Sequence, residues 1–298
     1  MRRLFLYTLM GYLSGCVIGN ERFTRPADLS PAWLVDRTRV LGVQASPPEI
    51  RPGETATFEA LVASPSTEDP FSIIWLACPA EGGGIGFGCA LDLADVDLST
   101  VTPEELADLG FIGFEPLLPP AYTAPDDLLA GLTPVERSEG DYVLVQVTAI
   151  PPDADLDAAN LDFTDIEAAY KRLVVSEAST PNRNPAPGAF TVEEQVIADD
   201  VTVHLDPDQP YELGLVLPPS SIETYEYLRS DGSIELREEE PYVAWFSTGG
   251  ELLEEVTLHP NTQADWISPR SGTEGTWYAV VRDRRGGQSW HVQRWIVD

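Results

Sequence analysis

Tyr142-Val143-Leu144-Val145-Gln146-Val147 is the stretch that decides the fold class of this chain. Val143, Val145 and Val147 share one face of an extended strand, because successive side chains of a strand point to opposite sides. Working outward, similar short runs predict strands at residues 38–45, 55–63, 71–77 and 172–177. Segments such as Arg51-Pro52-Gly53-Glu54 separate these runs and favour turns. The pattern predicts an all-β chain.

The second half of the chain repeats the order of the first. Tyr242-Val243-Ala244-Trp245-Phe246 echoes Ile73-Ile74-Trp75-Leu76, and each places a tryptophan in mid-strand. Residues 276–281 then answer residues 142–150, and residues 288–297 answer residues 172–177. The rhythm is typical of two tandem immunoglobulin-like β-sandwiches. Trp75 and Trp245 are expected to be core residues rather than stacking platforms for sugars.

Short helices are expected as insertions in the first sandwich. Thr102-Pro103-Glu104-Glu105 combines a capping residue, a first-turn proline and a glutamate, and it predicts a helix that runs to Leu109. Residues 125–130 are a second candidate helix. Thr164-Asp165-Ile166-Glu167 is a further capping box and predicts a helix that extends toward Lys171.

The region from Val281 to Ser289 resembles the last hairpin of PKD-like and related bacterial immunoglobulin-like domains, in which an aspartate and paired glycines shape the turn. The resemblance covers about the final sixty residues. The turn also holds a dense positive cluster, Arg282, Arg284 and Arg285. Two interpretations stay open: alternating charges keep an exposed turn soluble, or the arginines dock an acidic surface of the first domain or of a neighbouring envelope component.

The N-terminal segment decides the expected compartment. Arg2 and Arg3 precede an apolar run over residues 4–13, which has the length of a signal-peptide core. Leu13-Ser14-Gly15-Cys16 follows and resembles the lipobox of bacterial lipoproteins. The resemblance implies that Cys16 carries a diacylglycerol that anchors the mature chain to a membrane. Val17 stands where such families carry an aspartate for inner-membrane retention, so the outer membrane is expected.

The order of segments as a whole is similar to that of uncharacterised lipoproteins of predatory, GC-rich Gram-negative bacteria, a resemblance that implies no known activity. The predicted organisation is a signal peptide over residues 1–15, a lipidated tether over 16–36, an immunoglobulin-like sandwich with a helical insertion over 37–179, a linker over 180–195 and a PKD-like sandwich over 196–298.

Cys78 and Cys89 form the remaining cysteine pair once Cys16 is lipidated. In an oxidising compartment such a pair favours a disulfide, whose role would be structural. A zinc site would need further cysteine or histidine ligands close by in sequence, and none is present there. No metal or other cofactor is therefore expected.

The net charge and the absence of catalytic motifs limit the classes of function that the sequence favours. Asp and Glu number 49 against 18 Lys and Arg, and the formal net charge of -31 repels nucleic acid. Acidic segments at residues 92–97 and 153–157 are expected to be solvated loops, with calcium binding as the alternative. Ser289 and His291 share a strand face but lack an orienting acid in sequence. We therefore expect a non-enzymatic, lipid-anchored envelope protein with a structural or protein-interaction role; the alternatives are a carbohydrate- or calcium-binding module and, less favoured, a hydrolase.

Overall fold

Alternating apolar residues produce strands in nearly every part of the chain that the structure describes. The computed structural model describes residues 30–65, 71–79, 110–152 and 166–298. Trp33–Asp298 form one compact unit, and all the described strands belong to it. None of the helices among the described residues is long and apolar enough to cross a membrane.

The first sandwich contains eight described strands and one helix. The strands are β1 (Arg39–Ser46), β2 (Glu49–Ile50), β3 (Thr55–Ala63), β4 (Ser72–Pro79), β5 (Phe111–Glu115), β6 (Ala121–Thr123), β7 (Asp141–Ile150) and β8 (Glu167–Val175), and helix α1 (Pro134–Glu139) lies between β6 and β7. One sheet has the order β1-β3-β6, and the other has the order β2-β8-β7-β4-β5.

The second sandwich contains two five-stranded sheets. Its strands are β9 (Ala189–Val192), β10 (Gln195–Val196), β11 (Val203–Leu205), β12 (Pro210–Val216), β13 (Thr224–Leu228), β14 (Ile234–Glu238), β15 (Tyr242–Ser247), β16 (Glu251–Leu252), β17 (Val256–Leu258), β18 (Gln263–Ile267), β19 (Glu274–Arg282) and β20 (Gln288–Val297). The sheet orders are β10-β9-β12-β18-β16 and β11-β20-β19-β15-β17, and β13 and β14 form a separate hairpin.

Both sandwiches share one strand order, and that order is the one of immunoglobulin-like domains. A first strand pairs with the next long strand of its own sheet, as β1 does with β3 and β9 with β12. A short strand then crosses to the facing sheet and pairs in parallel with the last strand, as β2 does with β8 and β11 with β20. The prediction of two tandem immunoglobulin-like β-sandwiches is confirmed.

Each core is built around the tryptophan that the sequence singles out. Trp75 and Trp245 are both buried, and so are the three valines of β7 that alternate in the deciding stretch. The indole of Trp75 donates a hydrogen bond to Glu115 Oε1 at 3.1 Å, and that of Trp245 donates to Thr257 Oγ1 at 2.9 Å. Their placement as core residues is confirmed.

The helix predictions agree with the structure less well than the strand predictions do. The helix expected from Thr102 to Leu109 lies outside the described residues. Residues 125–130 form hydrogen-bonded turns instead of a helix. The helix predicted toward Lys171 is wrong from Glu167 onward, because that segment is strand β8 and pairs along its length with β7. The described α-helix is α1, whose cap Thr133 and third residue Glu136 form a capping box, and Pro219–Ser221 form a short 3-10 helix.

Part of the predicted linker belongs to a sheet. Strand β9 falls within residues 180–195, and Phe190 on it is fully buried in the second core. Similarly, Trp33 and Val35 lie within the predicted tether and bond to the backbone of Ser247 in β15. The structure thus ties both segments to the second sandwich.

Candidate functional site

The two sandwiches share a buried apolar surface, which together with the ionic cluster described below we call the junction. The first sandwich and the segment before it contribute Val35, Leu41, Leu61 and Ala63, and the second contributes Ala244, Tyr278 and Val280. Phe246 and Trp290 pack around this cluster. Burying one such aliphatic or aromatic side chain contributes about 1.5–3 kcal/mol at most, so the cluster favours one fixed arrangement of the sandwiches.

Close approach at the junction depends on Gly42 of β1. A Cβ atom at this position would lie 3.3 Å from the ring of Trp290 on β20. The register of β1 against β3 shifts between Val40 and Gly42, which is a local bulge. The lack of a side chain at Gly42 therefore allows the indole to lie against the β1 backbone.

Beside the apolar cluster, the turn between β19 and β20 is organised by one carboxylate. Asp283 Oδ1 accepts hydrogen bonds from the backbone N–H groups of Arg285, Gly286 and Gly287 at 2.7–2.9 Å. Its Oδ2 accepts a bond from the Asn182 side chain at 2.9 Å. Burial raises the pKa of Asp283 above its ordinary value, while these bonds act in the opposite direction.

Arg285 extends from this turn into a mostly buried space between the sandwiches. Its guanidinium lies 3.0 Å from Glu239 of the second sandwich and 3.6 Å from Glu49 of the first. It also donates to the Thr180 carbonyl at 3.1 Å and covers the ring of Tyr225 at 4.1 Å from the centroid. The planar guanidinium suits several acceptors at once, and here it joins both sandwiches.

The chain's single lysine, Lys171, completes the cluster. It is 3% exposed on β8, and its ammonium donates to the carbonyl of Gly286 in the turn. Burial lowers the pKa of Lys171 to about 8, although the nearby Asp283 carboxylate acts to raise it. We call Glu49, Lys171, Glu239, Asp283 and Arg285 the ionic cluster; burial also raises the pKa of Glu239.

Polar bonds outside the ionic cluster add further links across the junction. Arg282 donates to the carbonyl of Leu41 at 2.9 Å. The Asn184 side chain donates to the carbonyl of Ala45 at 2.7 Å and accepts from the backbone N–H of Gln288 at 3.0 Å. Strands β1 and β20 are thereby held together by backbone and side-chain bonds as well as by apolar contacts.

The three arginines of the predicted interaction turn take different positions. Arg282 and Arg285 contact the first sandwich, whereas Arg284 is exposed and pairs with Glu240 at 3.3 Å. Sequence reasoning missed Lys171 as a partner of the turn. The sequence did contain an indication of its burial, because Lys171 alternates with Leu173 and Val175 on the inward face of β8.

Most of the remaining predicted site residues lie outside the part of the chain that the structure describes. Cys78 lies on β4, while Cys16, Cys89 and the acidic segments at 92–97 and 153–157 lie outside the described residues. The lipid anchor and the disulfide therefore stay predictions. Among the described residues, no group of three or more His, Cys, Asp or Glu is placed to hold a metal ion.

Ser289 and His291 both point into the second sandwich and are 5% and 8% exposed. The imidazole stacks on Phe190, with ring centroids 5.2 Å apart. Its Nδ1 lies 3.8 Å from Asp199, whose side chain is 91% exposed. Both side chains therefore pack in the interior of the second sandwich.

Comparison with known proteins adds the following findings. No protein-family model matches the chain, and no curated protein matches it either. Among similar solved structures, the fibronectin(III)-like modules of Clostridium thermocellum CbhA are 8% identical, with 86% of this chain and 94% of that chain covered and a TM-score of 0.22. Murine CEACAM1b is 8% identical, with 86% of this chain and 100% of that chain covered and a TM-score of 0.23. The D0-D1 domain of intimin is 10% identical, with 86% of this chain and 98% of that chain covered and a TM-score of 0.21. The strand order and the junction define the class: a protein with two immunoglobulin-like sandwiches that pack face to face.

Proposed function

We propose that this protein is a non-enzymatic, lipid-anchored envelope protein whose two sandwiches act as one structural and interaction unit. The observation that carries the proposal is the junction, in which a buried apolar cluster and a buried ionic cluster hold both sandwiches together. Tandem domains joined only by a linker reorient freely, whereas a large buried interface restricts that motion. Such a unit presents its surfaces at a constant angle.

The anchor is supported by the sequence. The basic pair, the apolar run and Leu13-Ser14-Gly15-Cys16 occur in the order found in bacterial lipoproteins. The PKD-like hairpin at residues 281–289 is in keeping with an envelope protein of that kind. The net charge of -31 disfavours adsorption to anionic headgroups, so a covalent lipid is the attachment that the composition permits.

Replacing the lipid acceptor tests the anchor. Cys16→Ser removes the thiol that forms the thioether, so we expect loss of incorporated labelled fatty acid and accumulation of the uncleaved precursor. Ser14→Ala, which keeps a small residue before the cleavage site, is the matched control and should be labelled like the wild type. Unchanged labelling of Cys16→Ser would rule out the anchor.

A carbohydrate-binding role is a second candidate, favoured by one observation. Tyr142 on β7 and Tyr170 on β8 are 40% and 44% exposed on the same outer face of the sheet, and Arg172 lies 5.0 Å from the Tyr142 ring. Exposed aromatic faces stack on sugars through apolar contact. Titration with soluble oligosaccharides tests it: binding that Tyr142→Ala abolishes supports the role, and binding that survives in the double Tyr142→Ala/Tyr170→Ala variant excludes this face.

A further inference from the structure

Strand β17 forms an edge of the second sandwich that differs from the rest of its surface. It is the last strand of its sheet and, among the described residues, pairs only with β15. The indole bond from Trp245 to the buried Thr257 holds the middle of β17 in place. The edge is therefore fixed before any partner binds.

The hydrogen-bond ladder leaves the outer side of β17 unpaired. Trp245 N–H donates to the Glu255 carbonyl, and His259 N–H donates to the Pro241 carbonyl. In an antiparallel pair the bonded positions alternate, so the backbone groups of Val256 and Leu258 point away from β15. Both residues are thus able to bond to an additional strand.

The side chains of this edge are apolar and open to solvent. Val256 and Leu258 are 49% and 53% exposed, and the neighbouring Leu253 is 54% exposed. Sheet edges are usually protected by lysine, proline or charged side chains that deter pairing. The exposed positions of β17 carry none of these, so the short length of the strand is its main protection.

An acidic cavity of about 410 Å³ borders the same strand. Glu212, Glu254 and Asp265 line it together with β17. No lysine or arginine is among the described residues that line it. Carboxylates of this kind form charge-assisted hydrogen bonds with a lysine or arginine side chain.

We propose that β17 binds an extended segment of a partner protein as an added strand, with apolar side chains that alternate with lysine or arginine. The apolar side chains lie against Val256 and Leu258, and the basic ones reach Glu254 and Asp265, because successive side chains of a strand point to opposite faces. A second copy of this chain is disfavoured, because its net charge of -31 would repel the acidic cavity. The inference deepens the interaction role proposed above and rests on it.

A short peptide in which valine and arginine alternate is the probe, used with the full chain in detergent. We expect it to bind, to lose affinity as salt is added and to slow amide exchange at Val256 and Leu258. A valine and glutamate peptide of equal length is the control and should not bind. Failure of the arginine peptide to bind, or equal binding of both peptides, overturns the inference.

Variants then locate the binding edge. Val256→Pro removes the outward N–H without touching the Trp245–Glu255 bond, so the affinity should fall about tenfold, while Val256→Thr should bind like the wild type. The double variant Glu254→Gln/Asp265→Asn keeps the shape, and it should bind about tenfold more weakly with little dependence on salt. If Val256→Pro fails to fold, the affinity of this double variant tests the inference instead. Wild-type affinity in either variant overturns the inference.

Two further outcomes are distinguishable. If ultracentrifugation shows a dimer of the wild type that Val256→Pro abolishes, the occupant is a second copy and the inference is wrong. If the peptide does not bind to a chain that is lipidated and unfolds as one unit, only this inference fails. Loss of the anchor or of cooperative unfolding would instead remove the proposed function on which it rests.

Discussion

Arg285 joins the two sandwiches through one planar side chain, with Glu49 on one side and Glu239 on the other. Arg285→Met leaves these buried carboxylates without their counterion, and we expect a loss of about 3 kcal/mol in the free energy of unfolding. Arg284→Met is the matched control, because Arg284 is exposed and such pairs contribute about 0–1 kcal/mol. Urea denaturation measures both, and equal losses would refute the role of Arg285.

Lys171 gives the junction a dependence on alkaline pH. Its pKa is lowered from 10.5 to about 8 in the folded chain, so the folded state binds fewer protons than the unfolded state between these values. Stability therefore rises as the pH increases through this window. Asp283 and Arg282, which face Lys171, have opposing effects on this pKa.

The free energy of unfolding is expected to increase by roughly 2 kcal/mol between pH 7.5 and 9.5. This value follows because a shift of one pKa unit corresponds to about 1.4 kcal/mol. Urea denaturation at the two pH values measures it. Lys171→Met removes the titrating group and should lose the gain. The same rise in Lys171→Met would assign the effect to other groups.

At the scale of elements, the turn between β19 and β20 requires Gly287. A Cβ atom there would clash with the Asp283 carboxylate and lie 2.7 Å from the Arg183 carbonyl. Gly287→Ala should therefore cost about 2–3 kcal/mol and expose the turn amides to exchange. Gly232→Ala is the control, since nothing lies within 4 Å of it, and only its backbone strain of about 1 kcal/mol applies. Equal costs would show that the turn can relax.

The elements that the sequence predicts best are those whose local pattern and tertiary contacts agree. The alternating valines of β7 occupy the core as expected. Residues 164–167 read locally as a helix start, but the β7 ladder outweighs that preference from Glu167 onward. Thr133-Pro134-Val135-Glu136 carries the same local signal, and there α1 does form, since no described strand pairs with its backbone.

At the scale of the whole molecule, the sequence indicates that some strands are buried on both faces, but it does not indicate which strands form the junction. Strand β3 ends in Ala60-Leu61-Val62-Ala63, and β19 contains Tyr278-Ala279-Val280-Val281. Continuous apolar runs within strands indicate burial on both faces. They do not say which two outer faces meet, so the contact between β1 and β20 and the position of Arg285 between the sandwiches could not be predicted from the sequence.

The central claim is that both sandwiches fold as one unit, and scanning calorimetry of the full chain tests it most directly. Because the junction buries apolar residues and charged groups of both sandwiches, neither can unfold without exposing the other. The account predicts a single transition whose calorimetric and van't Hoff enthalpies agree. Two separate transitions, each with the enthalpy of one sandwich, would contradict it.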